Sequence, residues 1–150
     1  MDCVFCKIRD GQVPAVKLHE DDRTVAFMDI NPINEGHLLV MSRAHAATVT
    51  EASEEDLVAV IRTVRRMARA LGAALSPDGI NLFQANGEAA FQSVPHFHMH
   101  VIPRWHRDGK GLTWRLVPGD QAQIRATDGR EDPIGPLREG GQMNNPTGMA

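Results

Sequence analysis

Residues 95–104 read Pro-His-Phe-His-Met-His-Val-Ile-Pro-Arg, a strict alternation that suits an extended strand and defeats a helix. Side chains of a strand alternate between faces, so His96, His98 and His100 fall on one face, about 6.6 Å apart in succession. Phe97, Met99 and Val101 fall on the other and are expected in the core. Three imidazoles in a row make a poor structural device. Burying them costs polar desolvation, and their titration near neutral pH would make stability depend on pH. They are therefore read as functional, on a strand predicted over His96–Pro103.

The rest of the chain supplies more strands and one long helix. Val16–Glu20, Thr24–Asp29 and His37–Met41 read as strands, the last apolar enough to be buried on both faces. Turn signals separate them at Asp21-Asp22, Asn31-Pro32 and Asn34-Glu35-Gly36. Ser53 opens a helix in which Leu57, Val60, Ile61, Val64, Met67, Ala68 and Leu71 recur at helical spacing; it ends between Gly72 and Leu75. Ser53 and Asp56 have capping-box spacing, and Glu54, Glu55 and Asp56 suit the positive end of the helix dipole. Ile80–Ala85 reads as a fourth strand and Cys3–Arg9 as a short helical turn. This order, with hairpin-like links, predicts an α+β fold, a mostly antiparallel sheet with its helices on one side. From about Ala126 onward Gly, Pro, Asn and charge dominate. Residues 1–125 are taken as the folded domain and 126–150 as a tail, poorly ordered or docked on a partner subunit.

Composition narrows the function. A chain of 150 residues fits one domain with a real core. It has no apolar run near the roughly 20 residues of a membrane helix and no signal-peptide pattern, so no membrane partner is expected and the cytoplasm is the default compartment. Net charge is −3, which gives no general field for polyanions; Arg62, Arg65, Arg66 and Arg69 read as a solvated helix face, and no nucleic-acid partner is expected. The two cysteines, Cys3 and Cys6, exclude a disulfide framework.

Imidazole is a good nucleophile toward phosphorus and a fair leaving group from it, so it can divide one hard displacement into two easier ones. Neighbouring imidazoles can donate to phosphoryl oxygens. The Gly87–Pro95 loop, directly before the histidines, can add backbone N–H donors. Asp29 sits at a strand end, where it either faces a ligand or caps a turn. Phe27 by itself reads as core. Cys3-x-x-Cys6 has the spacing of half a zinc site, and two plain reduced thiols are an equal reading.

These residues resemble the histidine triad (HIT) family, whose pattern H-φ-H-φ-H-φ-φ (φ apolar) is met by H-F-H-M-H-V-I. Further matches are Asp2-Cys3-Val4-Phe5-Cys6-Lys7-Ile8, Ala26-Phe27-Met28-Asp29-Ile30-Asn31-Pro32, Gly36-His37-Leu38-Leu39-Val40, Asn86-Gly87, Gln92-Ser93-Val94 and Pro103-Arg104. The resemblance implies a nucleotide hydrolase or nucleotidyl transferase acting on purine nucleotides, and a homodimer whose five-stranded sheets join. It implies that His98 attacks the α-phosphorus, that His100 binds a phosphate oxygen or assists the leaving group, and that His96 orients its neighbours. Ser93 and Gln92 would contact the phosphate or the departing atom. Asp29 would hold the ribose hydroxyls, Phe27 and Ile30 would flank the base, and His37 and Asn86 would complete the pocket. The same resemblance implies a structural zinc on Cys3, Cys6, His45 and His96. The chain departs from the family at Phe91, where a small residue, often Gly, usually precedes the Gln.

Two other functional classes fit parts of the pattern. A metal-dependent hydrolase could use all three triad histidines as ligands, but the first and third Cα atoms of such a strand lie roughly 13 Å apart. A nucleotide-binding adaptor without turnover would dispense with the middle histidine, which this chain keeps.

Overall fold

The computed structural model describes residues 2–111. The expected domain boundary at residue 125 and the tail 126–150 lie outside the described residues. Helix α1 (Val4–Arg9) is followed by strands β1 (Lys17–Glu20), β2 (Thr24–Met28) and β3 (Leu38–Ser42), helix α2 (Glu54–Leu75), strand β4 (Gly79–Phe83), a 3-10 turn (Glu88–Ala90) and strand β5 (His98–Arg104). The strands form one antiparallel sheet in the order β1-β2-β3-β5-β4. This is the α+β architecture expected from the sequence.

Because β3 and β4 are each antiparallel to β5, they are parallel to one another, with β5 between them. Joining two parallel strands needs a long crossover, which α2 supplies. Its Val60, Val64, Met67 and Leu71 pack on Ala26, Leu38, Val40, Phe97 and Val101, so the apolar side of the histidine segment enters the core as expected. The Ser53 hydroxyl accepts from the Asp56 amide at 3.2 Å and caps the helix. The second half of the capping box does not form. The Asp56 carboxylate instead accepts from the Ser53 hydroxyl and from Arg23. Arg62, Arg65, Arg66 and Arg69 are exposed.

One expectation about the layers is corrected. The helices do not share a side of the sheet. Val25 and Phe27 of β2 and Leu39 and Met41 of β3 point away from α2, and α1 covers them with Phe5, Cys6 and Ile8. Strands apolar on both faces need cover on both, and the short N-terminal helix provides the second layer.

Strand edges differ by a residue or two from those expected, and at one point this matters. β5 begins at His98, so His96 lies before the strand. The chain bends at residues 94–96, where the His96 amide bonds back to the Val94 carbonyl at 2.8 Å. The Phe97 amide reaches the Ala46 carbonyl at 2.7 Å. His96 stays on the α1 side of the sheet, but its ring is freed from the strand's fixed direction.

Candidate active site

The triad rings stand in the layer under α1. Phe5 packs edge-on against His98, ring centroids 4.9 Å apart, and lies 6.0 Å from His96. His98 and His100 are 5.0 Å apart. In each triad ring, main-chain or neighbouring groups decide where the proton sits.

His96 is fully buried, and its Nε2 lies 2.7 Å from the Ser42 carbonyl, which can only accept. The proton is therefore on Nε2 and the lone pair on Nδ1. That lone pair faces Cys3 Sγ at 3.4 Å, Cys6 Sγ at 3.7 Å and His45 Nδ1 at 3.3 Å, while Cys6 Sγ and His45 Nδ1 are 3.5 Å apart. Zinc with bonds of about 2.3 Å to sulfur and 2.0–2.1 Å to nitrogen needs ligand separations of about 3.3–3.8 Å in a tetrahedron. The four donors fit. Burial pushes His96 down to about 4, which keeps it neutral, as a metal ligand has to be.

His98 has the opposite arrangement. Its Nδ1 lies 2.6 Å from the His96 carbonyl, so Nδ1 carries the proton. Burial holds the ring below histidine's ordinary value, hence neutral, and Nε2 is bare. Nε2 has no partner among the described residues. Only 5% of the residue's surface is exposed.

His100 lies beside His37 and Asp29. His37 Nε2 is 2.9 Å from His100 Nδ1, and Asp29 Oδ2 is 3.4 Å from His37 Nε2 and 3.8 Å from His100 Nδ1. The other Asp29 oxygen accepts from the Asn31 amide at 2.8 Å, so the residue both caps the turn and faces the site. Asp29, His37 and His100 are close enough to suggest a second metal set. The Ile33 amide argues against it. It donates to His37 Nδ1 at 3.1 Å, which places the His37 proton on Nε2, where a metal would have to bind.

The remaining predicted residues divide. Asn86 accepts from the Val49 amide at 2.8 Å, and Gln92 donates to the Ala47 carbonyl at 2.6 Å and accepts from the Gly87 amide at 2.7 Å. Both therefore pin the 86–92 loop to the segment after β3. Ser93 is exposed, and the Ser93 and Val94 amides have no acceptor among the described residues. Phe27 is core, edge-on to Phe5 at 5.3 Å, as its own reading suggested. Ile30 and Phe91 are the most exposed large apolar side chains among the described residues, at 87% and 88%. Phe91 has φ +64°, a left-handed conformation that explains why a small residue suits this position. The Ile33 amide and the Ser42 carbonyl went unforeseen. Both act through the main chain, which leaves no mark on residue type.

A profile of the HIT domain matches residues 10–107. The chain belongs to the HIT family. Among its curated relatives, "Protein hit" of Bacillus subtilis (strain 168) is 41% identical over 120 residues, covering 79% of this chain and 83% of the relative. Adenosine 5'-monophosphoramidase hnt1 of Schizosaccharomyces pombe is 39% identical over 127 residues, 84% of this chain and 92% of its own length. Adenylylsulfatase HINT3 of Arabidopsis thaliana is 40% identical over 107 residues, 71% and 54%. Of the solved structures, a HIT family protein from Bacillus anthracis superposes with a TM-score of 0.75 at 36% identity, covering 85% of this chain and 94% of that one. A Zn-bound histidine triad family protein from Mycobacterium smegmatis gives 0.68 at 37% identity, covering 83% and 89%. Among the described residues of this HIT protein, no helix is long and apolar enough to cross a membrane.

Proposed function

We propose that this HIT protein is a nucleotide hydrolase or nucleotidyl transferase that cleaves at the α-phosphate of purine nucleotides through a covalent intermediate on His98. The bare Nε2 of His98, fixed by the His96 carbonyl, carries the reading. The relatives named as a monophosphoramidase and an adenylylsulfatase support it, since both names describe adenylated substrates.

In the first step His98 Nε2 bonds to the α-phosphorus. The bond from phosphorus to the leaving group breaks, and the leaving group departs with the electron pair and takes a proton from solvent. In the second step water attacks the same phosphorus and gives up a proton to solvent, the P–N bond breaks, and Nε2 regains its lone pair. A second acceptor in place of water gives transfer. The amides of Ser93 and Val94, the Ser93 hydroxyl and His100 hold phosphoryl oxygens, with Gln92 and Asn86 bracing the loop. Asp29 takes the ribose hydroxyls, Ile30 and Phe27 line the base side, and His37 supports His100.

Zinc on Cys3, Cys6, His45 and His96 is structural in this reading; when bound it ties α1 to the β3 end of the sheet. Free thiols in such a site suit a reducing compartment such as the cytoplasm. The homodimer is placed on the β4 edge. Leu82 and Phe83 are exposed there, and an apolar depression between Leu82 and Ile61, Val64 and Ala68 of α2 lies beside them. A sedimentation mass of one chain would overturn that placement.

The His98→Ala variant tests the chemistry. Turnover of an adenosine phosphoramidate is expected to fall by about 10³-fold or more, with AMP binding kept. Near-wild-type turnover in the purified variant would refute the assignment.

A further inference from the structure

We propose that His37 is a positioning residue that shields His100 from Asp29, so that His100 serves as a neutral hydrogen-bond donor from Nε2 and not as an acid. The final clause rests on the nucleotidyl-transfer reading above; the hydrogen-bond chain does not.

The chain starts at a group that can only donate. The Ile33 amide gives its proton to His37 Nδ1, so a neutral His37 carries its own proton on Nε2. That Nε2–H points at His100 Nδ1, 2.9 Å away, with Asp29 Oδ2 at 3.4 Å. His100 Nδ1 therefore accepts, and the His100 proton lies on Nε2, which has no partner among the described residues. His37 is 2% exposed, so this arrangement is built into the fold.

Without His37, His100 Nδ1 would be left facing the Asp29 carboxylate at 3.8 Å. A carboxylate draws a proton onto the nitrogen that faces it. His100 would then either hold its proton on the wrong nitrogen or charge fully. Its surroundings are Asp29 after β2, His37 before β3, His98 on β5 and the Phe83 ring of β4. Of these only Asp29 favours the charged form; burial and the two histidines oppose it and bring His100 down to about 4. Two adjacent rings on one strand thus present opposite faces to a phosphoryl group, a lone pair from His98 and an N–H from His100. A charged His100 would instead stand 5.0 Å from the nucleophile's ring and oppose its charging as the P–N bond forms.

The full-length zinc-loaded protein, labelled with ¹⁵N-histidine, provides the test, alongside His37→Leu and His37→Gln. Wild-type His100 should show a bare Nδ1 and a protonated Nε2 at pH 7. In His37→Leu, Nδ1 should gain a proton and the His100 titration should move up toward the ordinary histidine range. His37→Gln, which keeps a donor near the Nε2 position, should restore much of the wild-type signature. For adenosine phosphoramidate, His37→Leu should lower kcat by about 10-fold or more, up to the roughly 10²–10³-fold for outright loss of one preorganised donor, with KM changed far less and a new acid limb in the kcat profile. A wild-type His100 with its proton on Nδ1 overturns the proposal, and that measurement needs no variant and no turnover. An unmoved His100 signature in a folded His37→Leu protein overturns it too. Absent turnover in the wild type would sink the nucleotidyl-transfer reading while leaving the tautomer measurement decisive for the chain.

Discussion

His96, His98 and His100 are chemically identical side chains set apart by the atoms beside them. In the proposed reading, the Ser42 carbonyl leaves His96 Nδ1 free to ligate, the His96 carbonyl leaves His98 Nε2 free to attack, and His37 leaves His100 a proton to donate. One consequence is measurable at the level of single groups. His37, His98 and His100 are all held below histidine's ordinary value by burial, His100 down to about 4. Above about pH 6.5 these rings are neutral both in the fold and in the unfolded chain. As pH falls below that, the unfolded chain takes up protons that the fold does not, so stability is lost progressively from about pH 6.5 down to about 4. Urea midpoints at pH 7.5 and 5 check this, and a higher midpoint at pH 5 would contradict it. The triad's positions were legible in the sequence because a period of two is unmistakable. The division of labour was legible only through the family resemblance, because it depends on main-chain carbonyls and amides that any residue type could supply.

At the scale of elements, the central strands were legible from apolar runs, and α2 from its stripe and its Ser53 cap. The side of the sheet taken by α1 was not, since a six-residue helix has too little pattern to declare a face. Nor was the bend that takes His96 off β5, which is set by contacts with Ala46 and Ser42 on another part of the chain. Gly36 illustrates a position where sequence and structure agree for a physical reason. It has φ +77° in the β2–β3 turn, and an added Cβ would lie 2.5 Å from Leu75 Cδ1 and 3.0 Å from Leu71 Cδ2. Gly36→Ala would wedge the turn away from the end of α2, and is expected to cost about 1–3 kcal/mol from overpacking and left-handed strain. Chemical denaturation measures it; an unchanged midpoint would contradict the packing described.

At the scale of the whole molecule, the Cys3, Cys6, His45 and His96 cluster joins α1, the segment after β3 and the residues before β5. A metal there would hold together parts of the chain some 90 residues apart in sequence without entering the chemistry. Removing it with a chelator is therefore expected to lower the melting temperature by about 5 °C or more, while turnover persists at temperatures well below the new midpoint. Turnover abolished with melting unchanged would instead favour a catalytic metal on the histidines. The ligand set was readable from the sequence only through family resemblance, since Cys-x-x-Cys alone leaves the partners unnamed. The most direct test is of His98 itself. The intact protein is mixed with an adenylated substrate, quenched within the first turnover, and its mass and site of modification are determined. The account predicts one added AMP unit on His98, labile to acid and absent from His98→Ala. Rapid turnover with no adduct trapped, or an adduct on any other residue, would contradict it.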